Sequence, residues 1–166
     1  LGCAECWRRA RSRLIYTGTS TISQFRRLSD SVLASPQISL EDIDLARAEG
    51  VTLIVCNRPD GEDPGQLESE SIRQTAAEKG IEYLSIPITA SGFSEPQVAA
   101  MADALAGAEG KVLAYCRSGT RSTLLWALAQ ASTGGDPDVL AAQAKAAGYD
   151  IAPVRAVMDI LAAKHR

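Results

Sequence analysis

Cys116 opens the stretch of this sequence in which residue types and spacing converge on a reaction, CRSGTRS over 116–122. A cysteine attacks as its thiolate, so the question is what would hold a charged sulfur there. The apolar run KVLAYC (111–116) reads as a buried strand, and STLLWALAQAS after Arg121 reads as a helix. A strand that turns into a helix within a few residues aims backbone N–H groups, and the positive end of the helix dipole, at whatever sits in the turn. Arg117 and Arg121 add formal positive charge beside the sulfur. Gly119 lets the backbone take angles closed to other residues and brings its N–H close to a ligand. The hydroxyls of Ser118, Thr120 and Ser122 can hold the loop or the sulfur. Arg121 can grip an oxyanion through two parallel hydrogen bonds. A structural cysteine ahead of a polar helix start is the plain alternative. Strand, glycine, hydroxyls and apolar helix occurring together weigh against it.

Other reactive residues are sparse. The single histidine, His165, is next to the C-terminal residue, which argues against a Cys-His pair and against a histidine-based metal site. No metal and no organic cofactor is expected. Cys3 and Cys6 form a C-x-x-C with no second pair, which makes an incidental feature a better reading than zinc or a redox pair. Cys56 closes an apolar run and reads as packing, with a resolving thiol as its less favoured role. Arg58 and Asp60, in the loop RPDGEDPGQ (58–66), are candidates for orienting substrate, while Glu62 and Asp63 read as a solvated turn. Trp126 reads as core.

The elements that must position these residues alternate. FRRLSD and SVLASPQIS suggest a short β-hairpin or two edge strands. Ser39 and Asp42 signal the start of a helix that ends at Gly50. VTLIVCN (51–57) is a strand buried on both faces. A helix over 68–79, a strand over 81–88 and a helix over 95–106 follow, the last opened by a capping box of Ser94 and Gln97 with Pro96 in the first turn. After the strand and helix around Cys116 come two more helices, near 136–146 and 153–164. Strand and helix in alternation imply an α/β fold: a parallel sheet, right-handed crossovers and helices on both faces. Ligands bind such sheets at the carboxyl ends of the strands. The loops 58–66, 89–93 and 116–121 all fall there. Residues 1–24, basic and then turn-rich, read as an extension of uncertain structure; 25–166 read as one domain.

At 166 residues and 46% hydrophobic the chain can bury a core. A net charge of -3 gives no reason to expect nucleic acid or an anionic membrane as partner. No apolar run is long enough for a transmembrane helix. Four cysteines without a disulfide framework point to a reducing, cytoplasmic compartment. No signal-peptide pattern is present, but the first residue is Leu, which leaves an upstream targeting segment open.

CRSGTRS, NRPDGEDPGQ and IPITASGF together resemble the phosphatase-like domain family named after beta-lactamase-hydrolase-like proteins, from Phe25 to about Ala131 and into the C-terminal helices. The resemblance implies the fold of dual-specificity and tyrosine phosphatases, with an anion-binding loop of rhodanese type between the last core strand and a helix. Some members are fused to persulfide dioxygenases, which implies a role in sulfide and persulfide metabolism and such a dioxygenase as partner.

Two features bear on the chemistry. Four residues separate Cys116 from Arg121, as in rhodanese-type sulfurtransferases, where tyrosine phosphatases have five. A phosphatase also needs an acid for its leaving group. Dual-specificity phosphatases carry an Asp just after the preceding strand, whereas Ile88-Thr89-Ala90-Ser91-Gly92 has no carboxylate. Asp60 could substitute if its loop folds over the site. On this reading the favoured function is sulfur transfer. Cys116 takes sulfane sulfur from thiosulfate or a small persulfide, Arg121 holds the donor's anionic end, and a thiol or sulfite accepts the sulfur. A phosphatase acting through a phosphocysteine is the alternative, and a non-catalytic module that binds a phosphorylated partner is a third.

Overall fold

The computed structural model describes residues 24–165. The sequence's extension up to Ser23, including the C-x-x-C pair Cys3 and Cys6, lies outside the described residues.

The chain enters through a hairpin, β1 (Arg26–Arg27) and β2 (Val32–Ser35), whose strands pair antiparallel. A short helix α1 (Asp42–Ala48) leads to β3 (Val51–Cys56), then α2 (Ser69–Glu78), β4 (Glu82–Ser85), α3 (Glu95–Gly107), β5 (Lys111–Tyr115) and α4 (Thr120–Ser132). Two further helices, α5 (Pro137–Ala146) and α6 (Arg155–Ala163), close the described chain. The sheet order is β1-β2-β5-β3-β4, parallel except for the hairpin. The parallel α/β expectation therefore holds. The expected hairpin is present; of the alternative, two edge strands, only β1 lies at an edge, since β2 pairs with β5 inside the sheet.

Helices cover both faces, as parallel strands require. Ile43 and Ala46 of α1 and Ile72 and Ala76 of α2 pack with Ile54, Leu113 and Tyr115 on one side. On the other, Met101 of α3, Leu125 and Trp126 of α4, Leu140 and Ala144 of α5 and Met158 of α6 pack with Val55 and Ala114. Neighbouring residues of one strand thus enter opposite layers, the period-2 rule of a strand. The C-terminal helices pack over α4, and Trp126 is core as expected.

Local signals set several boundaries. Ser94 and Gln97 form the expected reciprocal cap, and Ser39 with Asp42 bond each other's backbone N–H in the same way. The strand expected over 81–88 stops at Ser85 because Pro87 has no N–H to give. Ile86 and Ile88 still donate to the carbonyls of Cys56 and Asn57 at 2.8 and 2.9 Å, so the segment stays against β3.

Candidate active site

β5 ends at Tyr115, and Cys116 begins the turn. Its N–H donates to the Ser35 carbonyl at the end of β2, and the Arg117 carbonyl accepts from Gln37 N–H, each at 3.3 Å. The loop is stitched to the neighbouring strand at its start. Its far end is stitched into α4. The Gly119 carbonyl accepts from Thr123 N–H at 3.0 Å and from the Thr123 hydroxyl at 2.9 Å. Between these anchors Gly119 adopts φ +91°, which turns its N–H back onto Cys116 Sγ at 3.1 Å. The sulfur lies fully buried on the floor of this turn, in front of the N-terminus of α4.

Arg121 stands in the first turn of α4. One terminal nitrogen donates to the Ile88 carbonyl at 2.8 Å, and the other to both Glu62 oxygens at 2.7 and 2.9 Å. Burial opposes its charge, but the bond to Glu62 and the neighbouring Cys116 sulfur outweigh that and hold its pKa above the ordinary value. Glu62, read from sequence as part of a solvated turn, therefore belongs to the site. Asp63 does too: it pairs with Arg117 at 3.3 Å and with Arg58. Three arginines and two carboxylates in alternation draw the 58–66 loop against the Cys116 turn.

The remaining expectations divide. Ser118 and Thr120 bond each other, hydroxyl to hydroxyl at 3.0 Å, and brace the loop. Ser122 is buried, and its hydroxyl bonds neither sulfur nor any other protein atom, so the expected contact is not made. Arg58 is only 5% exposed and is spent on Gln37 at 3.0 Å and on Asp63. Asp60 is engaged at the start of α2. Its two oxygens accept from the Ser69 N–H at 2.8 Å and hydroxyl at 2.6 Å, so it caps α2 instead of facing Cys116. Asp60→Ala should cost about 1 kcal/mol in stability, the worth of a helix cap. Turnover should stay at the wild-type rate. Denaturant melts beside an activity assay check both.

Sequence reasoning also passed over Asn57. It is fully buried at the end of β3, where its N–H donates to Tyr115 O at 2.8 Å and its side-chain amide to Ile86 O at 3.0 Å. It ties the ends of three strands together just below the turn. An Asn ending an otherwise apolar strand was the available signal. His165 bonds the Ser132 carbonyl at the opposite end of α4, roughly 18 Å from the turn by helix rise, so it does not pair with Cys116.

A buried thiol thus lies under a backbone N–H, at a helix N-terminus and beside an arginine, on the carboxyl edge of a parallel sheet. Comparison with known proteins identifies the domain as phosphatase-like. The family model for the phosphatase-like domain of beta-lactamase hydrolase-like proteins matches residues 24–133, and the chain belongs to that family. Curated beta-lactamase hydrolase-like proteins of Agrobacterium fabrum and Xylella fastidiosa are 32% identical over 108 residues and 35% over 112. These matches cover 65% and 67% of this chain but only 25% and 26% of those proteins, so the chain spans about a quarter of their length. Among solved structures, a candidate phosphatase of Neisseria meningitidis is 31% identical, with a TM-score of 0.73 over 84% of this chain and 99% of that one. TpbA of P. aeruginosa, solved with pTyr, shares the fold at 19% identity and TM-score 0.56, over 82% and 90% of the two chains. No helix among the described residues is long and apolar enough to cross a membrane.

Proposed function

We propose that the domain hydrolyses phosphomonoesters through a Cys116 phosphocysteine. The observation that carries this is the Gly119 N–H on Cys116 Sγ at 3.1 Å, with Arg121 beside it. Cys116 sulfur attacks phosphorus, the P–O bond to the leaving group breaks, and that oxygen departs with the electron pair. Loop N–H groups and Arg121 hold the non-bridging oxygens; water then displaces sulfur from phosphorus. Family membership and the phosphatase-like fold support this reading over the sulfur chemistry that the sequence favours.

The site narrows the substrate. Asp60 is turned to α2, and Glu62 is engaged by Arg121 as an ion-pair acceptor. Neither is placed to protonate a departing oxygen. Aryl esters, whose oxygen leaves as a stable anion, suit such a site best.

Sulfur transfer is the second reading, favoured by the four-residue spacing and by the absence of a carboxylate in 88–92. It needs no acid, and it would suit a persulfide dioxygenase as partner. One experiment separates the two. The protein is incubated with an aryl phosphate or with thiosulfate, and the Cys116 peptide is weighed without reductant. Aryl phosphate turnover with a trapped phosphocysteine, and no added sulfur from thiosulfate, is the expected result. A Cys116 persulfide removable by dithiothreitol, without phosphate turnover, would overturn the proposal in favour of sulfur transfer.

A further inference from the structure

The peptide joining Ser118 to Gly119 is held from both sides. Its N–H donates to Cys116 Sγ at 3.1 Å. Its carbonyl accepts from the Tyr149 hydroxyl, also at 3.1 Å. In a trans peptide the two groups point in opposite directions, so fixing the carbonyl fixes the aim of the N–H. That matters because Gly119 makes the plane loose. Rotating the plane changes ψ of residue 118 and φ of residue 119, and glycine resists such a change least.

Tyr149 is built to act as the clamp. Gly148, at φ +90°, ends α5, and Tyr149 N–H donates back to the Ala144 carbonyl at 2.9 Å. The ring is half-buried against the large core cluster. It also lies directly on the loop: a Cβ at Gly119 would come within 2.1 Å of the Tyr149 oxygen. Burial pushes the hydroxyl's pKa up, Arg26 opposes this and Cys116 adds to it, so the group is a proton donor through the neutral range. Tyr149 lies beyond residues 24–133, outside the part that the family model matches.

We infer that Tyr149 is a positioning residue for Cys116, holding the 118–119 peptide so that its N–H stays on the sulfur. The hydrogen bond to the carbonyl also polarises the peptide and strengthens its N–H as a donor. This rests on Cys116 being the nucleophile but not on whether phosphorus or sulfur is transferred. The other charged and titratable groups around the sulfur are Arg117 and Arg121, with Asp63 and Glu62 behind them, and Arg26 beside Tyr149. Tyr115 and Cys56 pack on the opposite face of the sheet.

The test is the pH profile of Cys116 alkylation by iodoacetamide, resolved by peptide mass spectrometry, in wild type and Tyr149→Phe. The variant should react about three- to tenfold more slowly at neutral pH, the scale of one hydrogen bond. Its profile should move to higher pH while the high-pH plateau stays in place. Amide exchange at Gly119 should quicken, and thermal stability should change little. A profile that matches wild type overturns the inference, as does a uniform slowing at all pH values. A wild-type Cys116 that reacts as an ordinary thiol would instead sink the nucleophile reading, and the inference with it.

Discussion

Cys116→Ser should reduce turnover to background, a loss on the order of 10⁴-fold or more, whichever group is transferred. An alcohol stays protonated at neutral pH, and the Gly119 N–H and the α4 dipole that favour a charged sulfur cannot ionise it usefully. The fold should survive, because the loop is anchored by Ser35, Gln37 and Thr123 and not by sulfur alone. Cys56→Ser is the matched control. Cys56 Sγ donates to the Arg58 carbonyl at 3.3 Å in the opposite layer, so this change should cost stability and leave turnover intact. A steady-state assay of both variants decides the matter. Most of the activity surviving in Cys116→Ser would mean that the site is misplaced.

Arg121→Lys should be nearly as damaging as Arg121→Ala, each lowering kcat/KM by about 10²- to 10³-fold. The guanidinium reaches the Ile88 carbonyl and the Glu62 carboxylate from two different nitrogens. It therefore keeps its plane fixed against the turn and has N–H groups left for an oxyanion. A single ammonium keeps the sign of the charge but cannot bridge the two anchors and offer a fork as well. Glu62 would then lose its planar partner, and the 58–66 loop its two-oxygen contact with α4. Wild-type rates in the Lys variant would show that point charge suffices and that oxyanion geometry plays no part.

The positions of Cys116 and Arg121 were legible because their signals are local. An apolar strand, a glycine-containing turn and an apolar helix are adjacent in sequence, and the capping box at Ser94 works over three residues. The carboxylates were not legible. Asp60 and Glu62 are two residues apart in one Pro-Gly-rich loop, yet one caps α2 and the other meets Arg121 across 59 positions of chain. No periodicity encodes which way a side chain in such a turn faces. Tyr149 escaped for the same reason: it meets the Ser118 carbonyl from 31 residues away. The placement of β2 beside β5 also depends on long-range pairing, which a short segment such as VLAS does not announce.

The period-2 alternation of β5 has a further chemical consequence. Cys56 pairs in register with Tyr115 and shares its face, while Cys116, one residue on, turns to the α4 side. A disulfide needs Cβ atoms about 4 Å apart and aimed at each other, and a sheet between two thiols denies both. If peroxide converts Cys116 to a sulfenic acid, no thiol among the described residues can condense with it to a protective disulfide. Among the described residues none rescues it, and a small thiol able to enter the turn would compete with further oxidation to the sulfinic acid. The same alternation that gives each layer its apolar side chains thus keeps the two described thiols on opposite faces of the sheet.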